Sequence, residues 1–159
     1  MANPAPSALI ALLAWAGAFP SAGQAHQQTA GCVLALARSG EQIQATGAVV
    51  HNIRQGVQES TNNPFPAKGD VAFTLGSRSA SEAANQKSAA VMTSPALQAA
   101  IAGQIFKACS EVVTVRFNFI GSDWQTMLFR GTHGRVIHGS CVEARRGGDW
   151  PLWGYYHCL

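Results

Sequence analysis

Hydrophobic spacing changes along the chain, and each change marks a different kind of element. From Ser79 to Cys109 it predicts two consecutive helices. Ser79 and Glu82 form an S-x-x-E capping box, and Ala83 to Met92 carry strong helix formers. Ser94-Pro95 then restarts the pattern, because a serine N-cap followed by proline at the first helical position suits a new helix. Leu97, Ile101 and Ile105 recur every four residues to give that helix one buried stripe, and Cys109 falls at its end.

From Val112 the repeat drops to two. Val113, Val115, Phe117 and Phe119 fall on one face and Thr114, Arg116 and Asn118 on the other, which is the pattern of a half-buried strand. Gly121-Ser122-Asp123 make a turn, Trp124 to Arg130 a second strand, Gly131-Thr132-His133-Gly134 another turn, and Arg135 to Glu143 a third strand. Arg146-Gly147-Gly148-Asp149 precede a last strand, Trp150 to Leu159. Such short turns imply antiparallel neighbours, since parallel ones need crossovers of about a dozen residues. The expected fold is therefore α+β, with a helix or two consecutive helices packed on a C-terminal antiparallel meander of about four strands.

Residues 32–60 are less legible. Val49, Val50, Ile53 and Val57 fit a helix face, weakened by Gly40, Gly47 and Gly56, while Cys32 to Ala37 fits a short strand equally well, so the fold of this segment stays open. Residues 61–70, with Asn62-Asn63-Pro64 and Pro66, have the composition of a loop. No internal repeat is found.

The N-terminus changes the picture. No fixed charge precedes Arg38, and the apolar run from Ala8 to Phe19 is closed by Pro20 and the small residues around Ala25. This order is that of a signal peptide over residues 1–25, although its first residues lack the usual Lys or Arg. Residues 26–159 are then a single exported domain, and no membrane span is expected after leader removal. Thr29-Ala30-Gly31-Cys32 has the small residues of a lipidation site, but polar Gln27 and Gln28 interrupt it, and lipidation would leave an odd thiol.

An even count of four cysteines in an exported chain reads as two disulfides. Three connectivities exist, and Cys32 with Cys109 plus Cys141 with Cys158 is favoured, because the second pair would staple the final strand to its neighbour. The net charge of +3 is weak and dispersed, densest at Arg145-Arg146, so nucleic acid is not an expected partner.

Candidate chemistry concentrates near the C-terminus. His133, His138, Cys141, His157 and Cys158 suggest a metal site, but alternation along a strand points His157 away from Cys158 and His138 away from Cys141. No metal or other cofactor is expected. Ser140 lacks a G-x-S-x-G setting or an evident carboxylate to orient His138, and Asp123, Glu143 and Asp149 lie in or beside turns. No catalytic residue is assigned. The tail from Trp150 to Leu159 carries four aromatics, and alternation places Trp153, Tyr155 and His157 on one face. Those three, with Trp124, are the candidate ligand-binding residues, as flat amphipathic rings suit a sugar or a peptide. The expected function is a non-catalytic binding or envelope-associated module for an extracytoplasmic protein or glycan. A small secreted hydrolase or a protease inhibitor is the alternative.

Overall fold

Five strands in the order β1-β2-β3-β4-β5 form the main sheet: β1 Val50–Val57, β2 Gly69–Leu75, β3 Val112–Phe119, β4 Gln125–Arg130 and β5 Val136–His138. They belong to a computed structural model in which residues 29–58, 60–143 and 151–158 are described. The expected signal peptide lies outside these residues. Three helices complete the body: α1 Ala30–Gln44, α2 Glu82–Met92 and α3 Pro95–Ala108. A separate two-stranded sheet pairs β6 Ser140–Val142 with β7 Tyr155–His157.

The α+β class, the helices against the sheet and both disulfide pairings agree with the sequence reading. Cys32 is bonded to Cys109 and Cys141 to Cys158, with Cα separations of 4.7 Å and 5.0 Å. The sheet itself is mixed. β3, β4 and β5 are the antiparallel meander, but β2 and β3 run parallel because α2 and α3 form the crossover between them. The last strand does not extend the meander; β7 pairs with β6, in parallel.

Residues 32–60, which the sequence left open, hold a helix followed by a strand. The helix is α1, opened by Thr29, whose side chain accepts a hydrogen bond from the Cys32 amide. Its buried stripe is Cys32, Leu36, Ser39, Gly40 and Ile43, so small and polar residues occupy two core positions and weaken the hydrophobic signal. The valine-rich segment is the strand β1. A register shift between Val50 and Asn52 breaks its alternation, and its edge position leaves Ile53 and Val57 exposed.

α2 is capped by Ser81, which accepts from the Ala84 amide, rather than by Ser79, which bonds Ser77 instead. Pro95 opens α3 as expected, and Ile101 and Ile105 are fully buried. Gln98, buried at the α2–α3 bend, donates to the carbonyls of Val91 and Met92. The Arg130 guanidinium donates to the carbonyl of Phe106 in the last turn of α3 and to those of Cys109 and Ser110 just beyond it. Burial there pushes the Arg130 pKa down, with Glu111 opposing.

The core lies between helices and sheet: Val71, Phe73 and Leu75 of β2, Val115 and Phe117 of β3, and Leu128 of β4 pack with Leu36, Ile43, Ile101 and Ile105. The Phe73 and Phe117 rings stack at 5.4 Å. Two glycines are fixed by close approach. A Cβ on Gly69 would lie 2.5 Å from the Glu111 carbonyl oxygen, and one on Gly139 would lie 2.6 Å from the Phe129 ring.

Candidate functional site

The face of the sheet turned away from the helices is only half covered. Register aligns its side chains in rows across the strands: Asn52, Thr74, Asn118 and Gln125; then Arg54, Ala72, Arg116 and Met127; then Gly56, Asp70, Thr114 and Phe129. At the β4 end of these rows Met127 and Phe129 are buried. The C-terminal segment lies there: the Trp153 ring meets Phe129 edge-on at 4.9 Å and Phe65 at 5.9 Å. The Tyr156 hydroxyl donates to the Gln125 carbonyl at 3.3 Å, and the Gln125 side chain donates to the His157 carbonyl at 3.0 Å. Burial pushes the Tyr156 pKa upward.

Over β1, β2 and β3 the same face is open and polar. Arg54 is exposed, and Ala72, Thr74, Arg116 and Asn118 are half-buried. Thr74 and Asn118 side chains make no hydrogen bond to a described residue, so they remain available to a ligand. Asp70 is buried and saturated. Thr114 donates to it at 2.6 Å, and Arg116 donates to it through both Nε and Nη2. That carboxylate fixes Arg116 as a rigid fork flat against the sheet.

Beyond the Asp70 row the face runs into a cleft of about 500 Å³. Its walls are Val57, Pro66, Ala67 and Val112, with Gln55, Lys68, Asp70 and Glu111 as the polar members. The volume falls in the range of small-ligand sites, roughly 300–1,000 Å³. Glu111 Oε1 is buried and has no hydrogen-bond partner.

The candidate residues read from the sequence are not gathered into one platform. Gly154, with φ 92°, interrupts the alternation, so Trp153 sits in a turn and packs inward. Tyr155 is 44% exposed, and His157 is half-buried with Nδ1 lacking a partner. Trp124 stands at the other side of the sheet: it pairs with Phe119 on the helix face, ring to ring at 6.0 Å, and is 38% exposed. The open polar face was hidden from sequence reasoning. Thr114, Arg116 and Asn118 read as a polar strand face, but the β1 and β2 residues beside them were not recognisable without the register.

Among the described residues no group of three or more His, Cys, Asp or Glu is placed to hold a metal ion. All four cysteines are in disulfides. These two bridges suggest an oxidising environment. No single described helix is long and apolar enough to cross a membrane. No known protein family, curated protein or solved structure matches the chain.

Proposed function

We propose that the protein is an exported, non-catalytic binding module that engages an extracytoplasmic protein or glycan through the open half of its sheet. The observation that carries this reading is the row of half-buried polar side chains at Thr74 and Asn118, which make no hydrogen bond among the described residues, beside the rigid Arg116. Buried polar groups are ordinarily paired, and a polar shelf leading into a cleft is a surface that an external partner would complete. The apolar leader ahead of Arg38 and the two disulfides support export to an oxidising space.

A hydrolase reading has less behind it. Among the described residues no histidine side chain is hydrogen-bonded to a carboxylate or a hydroxyl, which leaves no orienting pair for general-base chemistry. The test is an array of extracytoplasmic glycans and proteins screened with the disulfide-bonded protein and with its Ala72→Trp variant, which fills the open face. The expected result is a ligand whose affinity falls about tenfold or more in the variant while its melting temperature is kept. Binding that survives Ala72→Trp and is abolished by Tyr155→Ala would place recognition on the C-terminal segment and overturn the reading.

A further inference from the structure

Resting on that reading, we infer that the ligand is an acidic glycan whose uronate carboxylate sits over Ala72, between Arg54 and Arg116. The two arginines occupy one row, with only the methyl group of Ala72 between them. Neighbouring strands are about 4.8 Å apart, so their Cα atoms stand roughly 10 Å apart across a notch that one carboxylate can span. Arg54 forms no ion pair with a described residue. Arg116 gives Nε and Nη2 to Asp70, while Nη1 makes no hydrogen bond within the described chain. One carboxylate, Asp70, lies in these rows, and it is buried beneath Arg116 and held by Thr114. The exposed part of the face is therefore positive.

The remainder of the ligand is specified by the adjoining row. Thr74 and Asn118 offer a hydroxyl and an amide, able to donate and to accept, and no large aliphatic side chain is exposed among them. A hydroxyl-rich chain matches both capacities, and the apolar walls of the cleft lie beyond the Asp70 row, outside the Thr74 and Asn118 row. Arginine forks recognise planar carboxylates in a bidentate manner.

The experiment is a titration of the disulfide-bonded protein with hexagalacturonate, neutral hexagalactose and hexaglutamate, followed by calorimetry and by amide and arginine Nε resonances. Hexagalacturonate is expected to shift the resonances of residues 72–74 and 116–118 and to bind at least tenfold more tightly than hexagalactose. Arg54→Ala should remove about tenfold of that affinity, and Arg54→Lys should restore part of it. Equal or tighter binding of hexagalactose or hexaglutamate at the same residues overturns the acidic-glycan inference and leaves the binding face standing. Failure of all three to shift residues 72–74 and 116–118 also overturns it, and the fate of the face then rests on the array with Ala72→Trp.

Discussion

The two faces of the main sheet are closed in different ways. Against the helices, Val71, Phe73, Leu75, Val115, Phe117 and Leu128 are all fully buried, and the Cys32–Cys109 bridge lies fully buried in the same cluster. On the other face the β4 end is covered by the Trp153 and Tyr156 segment, Asp70 and Thr114 are buried, and the bridge there joins an exposed Cys141 to a half-buried Cys158. Apolar burial contributes to the first face roughly 1.5–3 kcal/mol for each large side chain fully buried, alongside its bridge. The second has two aromatic contacts and a short crosslink in place of a core. The lesson is a division of labour, in which one face makes the fold and the other carries an attached cover and an open polar surface.

The largest expected effect comes from breaking the buried bridge. It closes a sequence separation of 77 residues, for which chain entropy gives about 4.5 kcal/mol, against about 3 kcal/mol for the separation of 17 at Cys141–Cys158. Urea denaturation of a Cys32→Ala, Cys109→Ala double variant is therefore expected to show a loss of about 4 kcal/mol or more in one global transition. An unchanged midpoint would mean that α1 is held to α3 without the crosslink. The Cys141→Ala, Cys158→Ala variant is expected to differ in kind, with the C-terminal segment released while the global transition of the sheet and helices moves little.

The smallest effect is on pH dependence. Burial raises the Tyr156 pKa above its ordinary value of 10.0 in the folded protein. Stability from the neutral phenol is thus full below the unfolded value near 10 and is lost as pH rises through the higher folded value. The contact between the C-terminal segment and Gln125 is expected to weaken above pH 10, as followed by Trp153 fluorescence. Tyr156→Phe should flatten that dependence; an unaltered profile in this variant would assign the alkaline change to another group.

How far the sequence reveals this arrangement differs between the same two faces. The helix-covered side was legible at α3, where Pro95 and the Leu97, Ile101, Ile105 spacing stand out, and at β3, where alternation is regular. It was illegible at α1 and β1, because Ser39 and Gly40 fill helix core positions while Ile53 and Val57 mimic helical spacing on an exposed edge. The strand β2 was not assigned from the sequence, although Val71, Phe73 and Leu75 repeat every two residues, and its parallel pairing with β3 depends on contacts across more than 40 residues. The candidate site lies on that pairing. Its rows combine β1, β2 and β3, and no local motif announces such a surface. The aromatic tail was conspicuous locally, but a single positive-φ glycine, Gly154, turned Trp153 into the sheet and separated it from Tyr155.

Native-state hydrogen exchange on the Cys141→Ala, Cys158→Ala variant tests the division between the faces most directly. The amides of β2 and β3 should keep the protection they have in the parent protein, while those of Tyr155 and of position 158, bonded in the parent to the carbonyls of Leu152 and Val142, exchange rapidly. A parallel loss of protection throughout β2, β3 and α3 would show that the outer cover is part of the fold's foundation, and the account would be contradicted.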